Sequence, residues 1–182
     1  MRKDRNDIER VLISQKDIET RVCEMGQVLE KEYEGKNPLV LGILKGAAVF
    51  VSDLIRAVDV ELEMDFLILS SYGNSDKPGK LVIKRDYEGD MRGRHVLVVD
   101  DITDSGQTLS TLQAMFEGRG AASVKTCVLL DKPSRRQLPY VPNYSGFQVG
   151  NEFVVGYGLD YAERFRNLPD ICTLKNHVYA AE

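Results

Sequence analysis

The residues best suited to chemistry lie in one stretch, VLVVDDITDSGQTL, from Val96 to Leu109. Asp100 and Asp101 stand side by side after an apolar run, and Asp104 follows three positions later. Adjacent acids at the end of a buried segment repel each other unless a cation or hydrogen-bond donors compensate. Ser105-Gly106-Gln107-Thr108 then leads into the helical pattern TLQAMF. Hydroxyls and backbone N–H groups at a helix start suit a phosphate, and Gly106 lets backbone approach it closely. A phosphorylated sugar with an associated metal fits this set of groups. The same residues also fit a plain helix cap, with Asp104 as the capping residue.

These groups have to be held by the flanking elements. Ser14, with Asp17 three positions on, predicts a helix start, and Ile18, Val22, Met25 and Leu29 give it one apolar face ending near Tyr33. PLVLGIL, from Pro38 to Leu44, reads as a buried parallel strand; Lys45-Gly46 follows it, then a helix through AAVFVSDLIRAV. Val60, Leu62, Met64 and Phe66 alternate with acids, predicting a strand with one solvated face. NSDKPGK reads as a mobile loop between this strand and KLVIKRD. The Val96 strand and a helix over Thr108–Glu117 come next. Ser123–Asp131 is another buried strand, ending at Lys132 and the basic pair Arg135-Arg136. PYVPNYSG reads as a connector, Phe153–Tyr157 as a strand, Gly158–Asp160 as a loop, and the residues carrying Arg164 and Arg166 as a short helical turn. ICTLK reads as one more edge strand. The order predicts an α/β fold with a mostly parallel sheet flanked by helices, whose ligand site lies at the C-terminal strand ends.

Composition narrows the function classes. A chain of 182 residues, 43% apolar and 29% charged, is expected to form a single domain with a sizeable core. The net charge of −4 argues against a nucleic-acid binder, although Arg135 and Arg136 form a local basic patch. Cys23, Cys127 and Cys172 lack metal-ligand spacing and predict reduced thiols. With no apolar run of membrane-spanning length and no signal-peptide pattern, a cytoplasmic protein is expected. Gly46 and Gly79 lack the frame of a P-loop, no dinucleotide fingerprint follows the first strand, and His95 and His177 have no partner pattern.

Four segments taken in order carry a resemblance. Leu44-Lys45-Gly46, Ser71-Tyr72-Gly73, VVDDITDSGQTL, and Lys132 with FVVGYGLDYAERFRNL resemble the hypoxanthine-guanine phosphoribosyltransferases of purine salvage, from about Pro38 to Leu168. The resemblance implies a type I phosphoribosyltransferase fold: a single domain over 1–182, a small hood built from the N- and C-terminal segments, and a mobile hairpin loop carrying Ser71 and Tyr72. It implies transfer of the phosphoribosyl group of 5-phosphoribosyl 1-pyrophosphate to hypoxanthine or guanine, dependent on Mg²⁺, in a homodimer or homotetramer with no nucleic-acid or membrane partner. Lys45, Gly46, Asp100, Asp101, Asp104, Ser105, Gly106, Gln107, Thr108 and Arg166 would bind phosphoribosyl pyrophosphate. Lys132, Phe153, Val154 and Asp160 would bind the purine, and Asp104 would be the general acid or base. Asp100, Asp101 and Asp160 would hold metal, and the Leu44–Lys45 peptide would be cis. Two positions depart from the family pattern: Asp100 stands where Glu is usual, and Ser105 where Thr is commoner. The alternative, from another class, is a regulator on the same fold that senses phosphoribosyl pyrophosphate and binds RNA or DNA; Lys132 and Phe153, as a base pocket, favour the enzyme.

Overall fold

The computed structural model describes residues 6–72 and 80–179, including the backbone of Ser71, Tyr72 and Lys80. Nine strands and four helices are formed among these residues. They run β1 (Ile8–Ile13), α1 (Gln15–Tyr33), β2 (Leu39–Leu44), α2 (Ala48–Arg56), β3 (Glu63–Tyr72), β4 (Lys80–Arg85), β5 (His95–Thr103), α3 (Gln107–Gly118), β6 (Ser123–Asp131), β7 (Tyr144–Gln148), β8 (Val154–Val155), β9 (Ile171–Leu174) and α4 (Asn176–Tyr179).

The main sheet has the order β4-β3-β2-β5-β6-β7. Every pair in it is parallel except the hairpin β3/β4. Both faces are covered, which explains the unbroken apolar runs in sequence. Val96 and Val98 of β5 face Leu109, Leu112 and Phe116 of α3. Leu97 and Val99 face the opposite way, into a cluster with Ile18, Val22 and Leu29 of α1 and Phe50 and Leu54 of α2. Ser14 caps α1 by accepting the Asp17 N–H, as its sequence predicts.

Strand order reverses between β2 and β5, which are adjacent and parallel. At such a reversal the loops leaving the two strands diverge to opposite faces and open a crevice. The Lys45-Gly46 turn leaves β2, while β5 carries Asp100 and Asp101 near its end and the loop from Asp104 leaves it, so topology alone places the turn and the acids beside one cleft.

Several local expectations are corrected. PYVPNYSG is only partly a connector, because its end forms β7, parallel to β6. β8 is short and lies outside the parallel sheet. It belongs to a separate antiparallel sheet of order β1-β9-β8 built from the two ends of the chain, with β9 in the middle rather than at an edge. No helix carries Arg164 and Arg166. Gly156–Leu168 folds as successive turns, with left-handed backbone at Tyr157, Ala162, Glu163 and Phe165. In β3 the predicted phase is only partly used: Leu67, on the Asp65 face, is fully buried, while Met64 stays 43% exposed. Ser71 and Tyr72, expected on a mobile loop, instead end β3 paired with Leu81 and Lys80 of β4; residues 74–79 of the NSDKPGK loop lie outside the described residues.

Candidate active site

The first wall of the cleft is the turn after β2. The Leu44–Lys45 peptide is cis. Gly46 sits against the acidic loop so closely that a β-carbon there would lie 1.8 Å from Asp101 Oδ2. Only a residue without a side chain fits here. The rim segment closes on the same turn: a β-carbon on Gly158, whose φ is +102°, would lie 2.2 Å from the Gly46 carbonyl oxygen. Tyr157, beside it, is buried and donates its hydroxyl to Asp53 of α2 at 2.6 Å.

The second wall is the acidic loop. Asp101 N–H donates to Asp100 Oδ1 at 3.0 Å, and Ile102 N–H donates to Asp101 Oδ1 at 2.9 Å. Burial, then the charge of Asp101, holds the Asp100 carboxyl well above the usual carboxylate range. Burial also raises Asp101, against hydrogen bonds and the Arg166 charge that pull it down. Two half-buried acids with raised pKa values favour an added cation. Gly106, in left-handed conformation, is the N-cap residue of α3 and has no side chain to cap it. Ser105 Oγ accepts the Gln107 N–H at 3.2 Å, and Thr108 lies in the first turn. Asp104 is therefore not the cap. Its Oδ1 is buried without a hydrogen-bond partner, and its Oδ2 lies 3.8 Å from Arg135 Nε.

Lys132 joins this loop to the segment that precedes β8. Its N–H donates to Thr103 O at 3.0 Å, and its buried Nζ donates to Glu152 O at 2.9 Å. Burial lowers the pKa of its ammonium. Glu152 precedes Phe153, whose ring is 36% exposed, stacked at 5.3 Å on Tyr179 and edge-on at 5.5 Å to Tyr161. Val154 pairs with Thr173 of β9 and buries its side chain in the core.

Two clusters result. Lys45, Gly46, Asp101, Asp160 and Arg166 meet where the two walls touch, and Arg166 Nη2 lies 2.7 Å from Asp160 Oδ1. Asp104 and Lys132 form the other, with Phe153 beyond them. Sequence reasoning missed Gly158 and Glu163 as contact residues. It also took Arg136 only for part of a basic patch. Arg136 is nearly buried, pairs with Asp131, and donates to Thr103 Oγ1 at 3.2 Å and Asp104 O at 2.8 Å. The doubled Arg after a strand end was the available signal, but its target, a backbone oxygen from another loop, is not readable locally.

This geometry matches a known one. The family model of the phosphoribosyl transferase domain matches residues 14–162. The chain belongs to that family. Over 176 residues it is 49% identical to the hypoxanthine-guanine phosphoribosyltransferase of Streptococcus pneumoniae, covering 96% of this chain and 98% of that protein. It is 52% identical to the bifunctional protein TilS/HprT of Listeria monocytogenes, of whose length it spans only 27%. A solved structure of a hypoxanthine phosphoribosyltransferase from Staphylococcus aureus superposes with a TM-score of 0.93 at 42% identity, covering 97% of this chain and 96% of that one. The fold is that of the type I phosphoribosyltransferases.

Phosphoribosyltransferases of this family use a metal ion. Among the described residues no group of three or more His, Cys, Asp or Glu forms a ready metal cage. The paired acids with raised pKa values nonetheless suit a hard cation that draws its remaining oxygen ligands from phosphate and sugar, as Mg²⁺ commonly does. No helix among the described residues is long and apolar enough to cross a membrane.

Proposed function

We propose that this protein is a purine-salvage enzyme. It transfers the phosphoribosyl group of 5-phosphoribosyl 1-pyrophosphate to hypoxanthine or guanine, giving IMP or GMP and pyrophosphate. The observation that carries this reading is the meeting of Gly46 and Asp101 across the strand-order reversal. It sets a pyrophosphate-side loop and a ribose-side acidic loop in contact at one cleft.

The reaction forms a bond from purine N9 to ribose C1 as the C1–oxygen bond to pyrophosphate breaks, through a cation-like sugar. Backbone N–H groups from Ser105 to Thr108 and the Ser105 and Thr108 hydroxyls hold the 5-phosphate at the uncapped start of α3. Asp100 and Asp101 receive the ribose hydroxyls. Lys45, the Gly46 backbone and Arg166 take the pyrophosphate. Asp100, Asp101 and Asp160 are the carboxylates that would hold Mg²⁺, which supplies positive charge to the departing pyrophosphate. Asp100 is shorter by one methylene than the family's usual Glu, so its contact runs through a small shift or a water.

On the base side Phe153 stacks on the purine. The Val154 backbone and Asp160 border it, and Lys132 donates to the O6 acceptor that adenine lacks. Asp104 receives or shares the proton at N7; its buried, unpartnered Oδ1 supports that role. Ser71 and Tyr72 close over the cation-like centre and exclude water. The protein works in the cytoplasm as one domain assembled into a homodimer or homotetramer. Exposed Met64 and Ile68 on β3 support an assembly surface.

The test mixes purified protein with phosphoribosyl pyrophosphate, Mg²⁺ and hypoxanthine, guanine or xanthine in turn, and follows absorbance. Turnover of an oxopurine is expected. No turnover with any of the three would sink the reading.

A further inference from the structure

Glu163 has no role in the mechanism above, yet it holds both cations assigned to pyrophosphate. Lys45 Nζ donates to its Oε1 at 3.0 Å. Arg166 Nη2 lies 3.3 Å from its Oε2. The Glu163 N–H donates to Asp160 Oδ2 at 2.8 Å, which fixes the start of the side chain beside the same acid that pairs with Arg166. Arg166 is further held by its Nη1 donating to Gly158 O at 2.8 Å, while its Nε is buried without a partner. The backbone supports this placement: Glu163 has φ 61° and sits inside the tight turn closed by Tyr161 and Arg164, not in a helix. A carboxylate is thus directed into the gap between two cations that come from loops far apart in sequence.

The contacts are also of a kind that exchanges. The side chains of Glu163 and Lys45 are 65% and 68% exposed. Ion pairs so exposed are weak and salt-screened. A polyanion carrying several charges would displace one carboxylate readily, and that carboxylate would compete for the same two cations when the polyanion leaves.

We propose that Glu163 is the resident anion of the pyrophosphate subsite: its carboxylate occupies Lys45 and Arg166 in the empty site, yields them to pyrophosphate, and thereby limits how tightly the product is held. This rests on the functional reading above. It makes Glu163 a residue that tunes affinity for the leaving group.

Isothermal titration calorimetry with sodium pyrophosphate, with and without Mg²⁺, tests it on the wild type, Glu163→Gln and Glu163→Gly. Gln keeps the size of the side chain without its charge; Gly removes the side chain and suits the positive φ, so both variants should fold. Removing the two ion pairs of this exposed carboxylate, one to exposed Lys45 and one to the more buried Arg166, is expected to tighten pyrophosphate about three- to tenfold, from the usual worth of surface pairs. The difference should narrow in 1 M NaCl, where the Debye length is about 3 Å. Equal or weaker binding by both variants overturns the proposal, weaker binding making Glu163 a positioning residue for the cations. The parent reading is checked separately by wild-type turnover. A wild type that turns over, with variants of unchanged affinity, refutes only the role of Glu163; a wild type that neither turns over nor binds pyrophosphate refutes both.

Discussion

Replacing Gly158 by Ala tests whether contact between the rim segment and the Lys45-Gly46 turn organises the cleft. The new β-carbon would sit 2.2 Å from Gly46 O, and ordinary contact begins near 3.4 Å. The two loops must therefore separate by more than an ångström or the protein must absorb the strain. The left-handed φ of +102° adds a second cost. Positive φ costs about 1–2 kcal/mol for a residue with a β-carbon, and overpacking costs about 1–3 kcal/mol. If the loops stay docked, stability falls by roughly 2–5 kcal/mol, the range of these costs together. If they part, stability is partly kept but Gly158 O, the acceptor for Arg166 Nη1, moves away from the pyrophosphate side. Misplacement by about 1 Å can cost on the order of 10²-fold in rate. Gly118→Ala is the control: nothing lies within 4 Å of its added β-carbon at the end of α3. Urea unfolding and initial rates with hypoxanthine should show Gly158→Ala losing one quantity or both and Gly118→Ala neither. A Gly158→Ala protein with wild-type stability and kcat/KM within threefold of wild type would refute the reasoning.

Asp104→Asn should lower kcat by about 10²–10⁴-fold, the usual worth of a general acid or base, while the affinity for ribose 5-phosphate stays close to wild type; normal turnover would contradict the role. Arg136→Ala leaves Asp131, 6% exposed, without its cation. Loss of one partner of a buried pair costs about 3–5 kcal/mol, so the urea midpoint should fall steeply, and an unmoved midpoint would show the pair to be incidental. Burial raises the Cys127 thiol pKa, so it stays protonated at pH 8 and shielded, and Cys172 is also buried, whereas Cys23 is exposed. A thiol reagent at that pH should modify Cys23 alone in the native protein and all three cysteines in denaturant; fast native labelling of Cys127 would contradict its placement.

The fold was legible where burial was complete. Ser123–Asp131 and the apolar start of the Val96 strand read correctly because both faces are covered there, but β5 runs on through Asp100 and Asp101, expected in a loop, to Thr103. β1 was hidden because charges interrupt IERVLI, and its pairing partner, β9, lies at the far end of the chain. β7 was hidden by the Pro and Asn just before it. The acidic loop was legible as chemistry, since adjacent acids before a helix start are locally unusual. Its relation to Gly46 and Gly158 was not, because Gly46 packs on the Asp101 carboxylate and Gly158 on the Gly46 carbonyl, contacts between segments far apart in sequence. The turns carrying Ala162, Glu163 and Phe165 defeated a helical reading for the same reason. Their left-handed backbone is held by hydrogen bonds such as Tyr157 N–H to Leu168 O and Gly158 N–H to Arg166 O, not by glycine.

The middle place of β9 in the small sheet has a consequence for the order in which the protein can be made. β1 and β8 pair with β9 and not with each other. A growing chain therefore holds β1 without a hydrogen-bonded partner in that sheet until Ile171–Leu174 have been made. By then β2, β5, α3 and β6 have all been synthesised, and with them the Lys45-Gly46 turn and the segment carrying Asp100 to Thr108. A chain stopped before Ile171 would carry the acidic loop but could not assemble the sheet that contains Val154. Under the proposed function, a prematurely terminated product would thus lose its hold on the base before its hold on the phosphate.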